Sequence, residues 1–513
     1  MQTIGDIIGL NARRYPDKTA LVMENESLTF RQLNDQTNQL AHGLLSLNIK
    51  PGDKVAIFAE NCLEWVIVNL AVVKCGGVAV PLNFRYKKDE LIYAINNSEA
   101  SVLFFGSEFV PIIEEAKDEF ASMVKLVVMS GEPLESGLSL KSLMDGRSTS
   151  EPDVRVDPTW PAAIMYTSGT TGSPKGVLTS HSGFFGIYIG LIVEGDVRHD
   201  DVTMVSLPLF HGGGMHSLVL PQLLMGSTAV IMGRGFDPDK VLDTVTRYGV
   251  TLTMWVPTQL AMLVNHPGLT KHDVSTLKKI WYGSSPITPP VLESSRDFFK
   301  VGFYQLYGQT ETGMVSVLRP EDHLERSQCT GREMFNANLR VVDEAGQDVH
   351  VDEVGEIICA QAAHGMIGYY KMEEATKETI RDGWIYTGDL ARAEGNGYFN
   401  IADRATDMII SGAENIYPKE IENVISSHDG VLEVAVFGIP DEIYGESVCA
   451  AVVKKDGYQI DEQIVIDFCA SKVSSYKKPK HVIFLEELPK NSLGKITKNV
   501  LRDPYWAGKK KKV

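Results

Sequence analysis

Along the first hundred residues, apolar positions recur with two different periods. Thr3 precedes Ile4, Ile7 and Ile8 at helical spacing, with Asp6 placed to complete a capping box. Thr29-Phe30-Arg31-Gln32 is a second box, opening a helix with Leu33, Leu40, Ala41 and Leu44 on one face. KVAIF (54–58) is predicted as a buried strand, CLEWVIVNLAVVK (62–74) as a helix stopped by Gly76 and Gly77, and VAVP (78–81) as the next strand. Strand, helix and strand at this spacing imply a right-handed parallel crossover. The pattern recurs in DELIYAINNS with SVLFF and in DKVLDTVTRYG with VTLTMWVP. A large α/β body with parallel sheets is expected.

Past residue 330 the texture changes. LRVVDEAGQDV (339–349) and VGEIICA (354–360) predict short antiparallel strands, a small β-barrel-like part of the large domain. After Asp403 come the helix EIENVISS, the strands EVAVFGI and SVCAAVVK, the helix IVIDFCASK and the strand HVIFL, which together predict a compact α+β unit. The expected division is a large N-terminal domain, 1–403, and a small C-terminal domain, 404–513.

A chain of 513 residues exceeds what one core usually supports, in agreement with two domains. Its net charge of −17 argues against nucleic acid as a partner, since a phosphate backbone needs a basic face. No apolar run is long enough for an integral membrane segment, and MQTIGDIIGLNARRYPDK does not read as a signal peptide. Cys62, Cys75, Cys329, Cys359, Cys449 and Cys469 are scattered without metal-ligand spacing, as expected of reduced thiols in a cytoplasmic protein. The KKKKV tail reads as a solvated end. A homodimer is left open.

Chemistry concentrates after AAIMY (162–166), predicted as a strand and followed by TSGTTGSPKG. Glycines let backbone N–H groups approach an anion, hydroxyls add donors, and Lys175 adds positive charge. This is not a Walker A loop, because Pro174 precedes Lys175 and Gly176 follows it. A generic loop of this composition is as readily a plain surface loop.

The string YTSGTTGSPKG resembles the phosphate loop of the adenylate-forming superfamily of acyl-CoA synthetases, luciferases and peptide-synthetase adenylation domains. Further motifs follow in order: PLFHGGG (208–214), YGSSP (282–286), YGQTETG (307–313), WIYTGDL (384–390), DRATDMIISGAENIYPKEIE (403–422) and PKNSLGKITK (489–498). The resemblance spans nearly the whole chain. It implies that a carboxylate attacks the α-phosphate of ATP to give acyl-AMP, and that the thiol of coenzyme A then displaces AMP.

By that resemblance Thr167, Ser168, Gly169, Thr170, Thr171 and Lys175 cradle the β- and γ-phosphates. Thr310 binds the α-phosphate and Glu311 holds Mg²⁺, a hard cation suited to carboxylate and phosphate oxygens. Asp389 accepts from the ribose hydroxyls, with Arg404 beside it. Ser284, Ser285 and Pro286 line the adenine slot and Tyr307 stacks on the base. Lys495 enters from the small domain to bridge the attacking carboxylate and the α-phosphate. For the second half, Ser411 and Gly412 border the pantetheine, while Arg85, Lys478 and Lys480 face the nucleotide end of CoA; a solvated surface is the plain alternative for the two lysines. The family's hinge position is commonly Asp or Lys and here is Thr406, which puts a charge-based account of switching in doubt.

His211 matches the gate between nucleotide and acyl sites. No Asp or Glu occurs from 207 to 223 to pair an α-ammonium, so the small-molecule carboxylic acid should lack a free α-amino group. No arginine in 208–222 offers to anchor a second carboxylate. Gly212, Gly213 and Gly214 are expected to leave open space, with Phe184, Trp255, Tyr304 and Met314 as candidate walls, each of which is equally at home in a plain core. An aromatic, alicyclic or medium- to long-chain acid is expected. Three alternatives remain: a carrier-protein loader, a luciferase-like oxygenase, and a non-catalytic acyl-adenylate binding protein.

Overall fold

The computed structural model describes the chain except residues 1–2, 122–123, 136, 168–173, 286, 328, 362–363, 405–406, 412–413, 442–443, 475, 491–495 and 508–513. Among the described residues the strands form three sheets of fourteen, eight and five strands.

The eight-stranded sheet grows from the predicted crossover. Lys54–Phe58 pairs in parallel with Val78–Pro81 on one side and with Ala100–Phe105 on the other. The linking helix Leu63–Lys74 is apolar all round and buried along its length, because it packs against strands of both large sheets. Gly76, at φ +71°, takes the left-handed conformation that ends it. The helix Phe30–Ser46 opens with the predicted box: Gln32 N donates to Thr29 Oγ1 (3.2 Å) and Thr29 N to Gln32 Oε1 (2.9 Å). The first box is a correction. The helix is Asp6–Arg14, its N-cap is Gly5, and Thr3 takes part through its backbone N–H, donated to Asp6 Oδ2 at 3.0 Å.

In the fourteen-stranded sheet, Val202–Val205, Thr228–Ile231, Leu252–Trp255, Lys279–Gly283 and Gly302–Gln309 run parallel. Gly313–Leu318, Gly331–Glu333, Tyr398–Arg404, Trp384–Ala393, Val354–Ala360 and Leu339–Val342 continue the same hydrogen-bonded path antiparallel. The strands expected as a barrel-like part are thus one wing of a mixed sheet. The third sheet takes its strands from Ile409 to Leu485, with helices Pro418–Ser426 and Glu462–Ala470 over its own core of Ile416, Ile421, Ile425, Val436 and Val452. No described helix is long and apolar enough to cross a membrane, and all six cysteines are free.

Candidate active site

In open α/β sheets, ligands sit beyond the carboxyl ends of the parallel strands. Three strand ends of the parallel run carry candidate residues here, the last two on adjacent strands and the first separated from them by Leu252–Trp255. Pro208–His211 follows Val202–Val205, Ser284 and Ser285 follow Lys279–Gly283, and Thr310 and Glu311 form the turn after Gly302–Gln309. Ser284 sits at φ +66°, a conformation that costs a non-glycine residue free energy and concentrates at functional sites. The turn closes at Gly313, also left-handed (φ +68°). A Cβ there would lie 2.3 Å from Ile187 Cδ1, so the helix His181–Glu194 lies directly against the turn.

Asp389, on the strand Trp384–Ala393, is 5% exposed. Its Oδ2 accepts from Tyr307 Oη (2.9 Å) and Gln309 Nε2 (2.6 Å), and its Oδ1 from Arg404 Nε (2.9 Å). Arg404 is its register partner on the neighbouring strand, and the guanidinium remains half exposed. Burial and the adjoining Asp389 charge push the Tyr307 phenol well above its usual range, so it stays a donor. Tyr307 itself is 8% exposed, its ring edge-on to Phe399.

Thr167 and Lys175 are register partners at the open end of the hairpin Pro161–Thr167 and Lys175–Ser180. Ser168, Gly169, Thr170 and Thr171, between them, lie outside the described residues, as do Pro286, Thr406, Gly412 and Lys495. Lys175 Nζ stands 4.9 Å from the centroid of the Tyr369 ring, and Tyr369 Oη donates to Glu311 Oε1 at 2.9 Å. The pair Gly368–Tyr369 adds a strand to the hairpin. Tyr369 therefore joins the phosphate hairpin to the acid of the neighbouring turn. Neither Tyr369 nor Gln309 was singled out by sequence: a tyrosine after Gly368 reads as core, and only the strand pairing shows whom it meets.

His211 is half-buried, its Nδ1 accepting from Gly213 N at 3.2 Å, and desolvation lowers its pKa to about 4, leaving a neutral ring at pH 7. The glycines beside it correct the expectation of open space. A Cβ on Gly214 would lie 2.2 Å from Pro208 O; those on Gly212 and Gly213 would meet Met165 Cε and Leu207 Cδ1 at 3.2 Å. Gly214 serves close backbone approach. Trp255 is likewise corrected: it is fully buried against Phe299 in a separate core, whereas Phe184, Tyr304 and Met314 share the central cluster with Ile187 and Tyr188.

Arg85 lies in the loop before helix Lys88–Ser98, its guanidinium 5.3 Å from the Phe84 centroid; burial and then repulsion from Arg234 lower its pKa. Ser411 ends the strand Ile409–Ser411. Lys480 pairs with Asp441 (2.8 Å) over the Tyr444 ring, and Lys478 is half-buried beside it. At the expected linker, Asp403 accepts from the backbone N–H groups of Arg404 (2.8 Å) and Lys419 (3.0 Å), while Lys498 pairs with Glu422 at 2.8 Å and Arg502 with Asp407 at 3.3 Å.

Comparison with known proteins bears on what this cluster of donors and acceptors serves. The sequence pattern of the AMP-binding enzyme family matches residues 10–370, and that of the AMP-binding enzyme C-terminal domain matches residues 420–495. The chain belongs to the AMP-binding enzymes, the adenylate-forming superfamily. It is 34% identical to the fatty acid–[acyl-carrier-protein] ligase ScoC of Streptomyces coeruleorubidus over 100% of this chain and 98% of the relative. It is 36% identical to feruloyl-CoA synthase of Amycolatopsis sp over 96% of each. Crystalline ATP-bound MatB from Rhodopseudomonas palustris superimposes with a TM-score of 0.90 at 30% identity, covering 99% of this chain and 100% of that one. As an AMP-binding enzyme it is an ATP-using, adenylate-forming ligase.

Glu311 fits a hard divalent cation in one specific way. No described group of three or more His, Cys, Asp or Glu side chains could hold a metal by itself. Mg²⁺ commonly takes one carboxylate and completes its shell with water and substrate phosphate, which a single Glu311 beside the hairpin allows.

Proposed function

We propose that the protein is an AMP-forming acid–thiol ligase that joins a carboxylic acid lacking an α-amino group to coenzyme A. The acyl group is aromatic, alicyclic or medium- to long-chain. The observation that carries this reading is the convergence of Asp389–Arg404, Thr310–Glu311 and Ser284–Ser285 at the strand ends beside the Lys175 hairpin.

In the first half, a carboxylate oxygen attacks the α-phosphorus of ATP and pyrophosphate leaves. Lys175 and the loop from Thr167 to Thr171 hold the leaving phosphates, and Thr310 donates to the α-phosphate. Mg²⁺, held by Glu311, supplies neutralisation of the phosphate charge. Asp389 accepts from the ribose, steadied by Arg404; Ser284, Ser285, Pro286 and what Tyr307 exposes border the base. Lys495 sits between the carboxylate and the phosphate, stabilising charge that develops in the transition state. His211, neutral, separates nucleotide from acyl group. In the second half, the CoA sulfur attacks the acyl carbon and AMP leaves. The small domain, 404–513, turns about the linker near Thr406; Ser411 and Gly412 then border the pantetheine, and Arg85, Lys478 and Lys480 the nucleotide end of CoA.

A carrier protein as acceptor is the second reading, favoured by the full-length similarity to ScoC. The test combines a carboxylic-acid panel scored by pyrophosphate exchange with thioester assays using CoA or a phosphopantetheinylated carrier. Lys495→Ala should lose at least about 1000-fold in acyl-AMP formation yet convert supplied acyl-AMP and CoA at near wild-type rate. Equal loss in both halves would remove the domain-turning assignment.

A further inference from the structure

The helix His181–Glu194 that abuts the Thr310–Glu311 turn also packs against the π-helical segment Gly213–Val219, which follows His211. π-Helical turns are rare and concentrate at functional sites. At the contact lies His216, five residues beyond His211 and 5% exposed. Its ring stacks on Phe184, with centroids 3.8 Å apart and planes within 10°. Its Nδ1 lies 2.6 Å from Tyr188 Oη, and Tyr188 is wholly buried.

This geometry fixes the imidazole's tautomer. Desolvation lowers the His216 pKa to about 3, so the ring is neutral and carries one proton. The Tyr188 hydroxyl has no described acceptor other than Nδ1. A buried O–H left without an acceptor is costly, so Tyr188 donates to Nδ1 and the ring proton sits on Nε2. Among the described residues Nε2 makes no hydrogen bond, and unlike His181 Nε2 it is not among the fully dry unpartnered atoms, so it keeps some solvent access. The outcome is an oriented N–H donor set in an aromatic wall, next to the segment that carries the acyl-site gate.

We propose that His216 is a specificity-determining residue whose Nε2–H donates to an oxygen on the acyl group, so that the preferred acid carries a ring with a hydroxyl, methoxy or oxo substituent remote from its carboxylate. This narrows the substrate class and rests on the ligase reading above. Phe184 supplies the stacking surface that holds the imidazole flat, and Tyr188 is a positioning residue that acts through the tautomer. An acid without the oxygen displaces water from Nε2–H and puts no acceptor in its place, which disfavours it.

The test uses matched acids in pyrophosphate exchange without CoA: cinnamate against 4-methoxycinnamate, and cyclohexanecarboxylate against 4-oxocyclohexanecarboxylate. Wild-type enzyme should favour the oxygenated member of at least one pair by about tenfold or more in kcat/KM. His216→Phe keeps an aromatic ring against Phe184 and lacks the donor. It should bring the ratio to within about threefold of unity through KM for the oxygenated acid, with kcat held. Tyr188→Phe frees the tautomer and should shift the ratio the same way, by less. If His216→Phe does not melt cooperatively, the Tyr188→Phe ratio decides. No preference in wild type, or equal loss on both members in the variants, overturns the proposal while leaving the ligase reading intact. No exchange with any acid removes that reading, and the proposal with it. Exchange without thioester formation from CoA bears only on the acceptor.

Discussion

Two buried carboxylates, Asp389 and Asp403, lie on neighbouring strands one register step apart and are held in opposite ways. Asp389 receives three side-chain donors, from Tyr307, Gln309 and Arg404, all from the mixed sheet. Asp403 receives two backbone N–H groups, one of them from the helix Pro418–Ser426 that belongs to the third sheet's unit. Alternation along the strand Tyr398–Arg404 makes this possible: Arg404 points to Asp389, and its predecessor points the other way. The difference teaches what each corner suits. A carboxylate ringed by fixed donors suits a diol that exchanges with a guanidinium. One held by the main chain of a following unit couples that unit's seating to its own protonation.

The comparison breaks most sharply at the ion pair behind Asp403. Lys498→Met leaves the largely buried Glu422 without its salt-bridge partner, and should cost about 3 kcal/mol or more, read as early loss of the small unit in denaturant unfolding. Next comes Asp389→Asn, which removes the charge that three donors share; adenylation kcat/KM for ATP should fall about 100-fold while the melting of the small unit stays put. Tyr369→Phe deletes the hydroxyl bonded to Glu311 and should raise the Mg²⁺ concentration for half-maximal exchange about fivefold.

The smallest effect is a pH dependence. Burial is the chief cause that raises the Asp403 carboxyl to about 6, with Glu422 adding to it and Lys498 and the two backbone donors opposing. A carboxyl raised on folding favours the folded form when protonated. Its contribution is full below the unfolded value near 4 and is lost as pH rises through about 6. Against Asp403→Asn, the wild-type melting temperature should therefore drop by a few degrees, about 5 °C at most, between pH 4 and 6 and stay level above. A flat difference would remove the coupling between Asp403 protonation and the seating of the small unit.

What was legible in the sequence was local or motif-borne. The Thr29–Gln32 box and the strand–helix–strand crossovers need only neighbours in the chain, and they stand as expected. The Thr3 box is only half formed: Thr3 N–H reaches Asp6 Oδ2, but the helix begins later, at Asp6, with Gly5 as its N-cap. Gly214 was read as missing volume, when the volume is filled by the carbonyl of Pro208. Tyr369 and Gln309 depend on partners about 60 to more than 190 residues away, and Asp403 on a helix of the following unit 16 residues on; no local spacing announces them. Among the motif residues, Asp389 and Arg404 meet directly, and Lys175 and Glu311 meet through Tyr369.

That tyrosine has a wider consequence. The hairpin carrying Lys175 belongs to the eight-stranded sheet and Glu311 to the fourteen-stranded one, so the phenol, together with Met366 N–H donated to Glu311 O and Ile367 N–H donated to Leu178 O, stitches two separately hydrogen-bonded slabs. Any breathing of one slab against the other would change the gap between cation and acid, so an incoming triphosphate would sense the spacing of the large body at this seam.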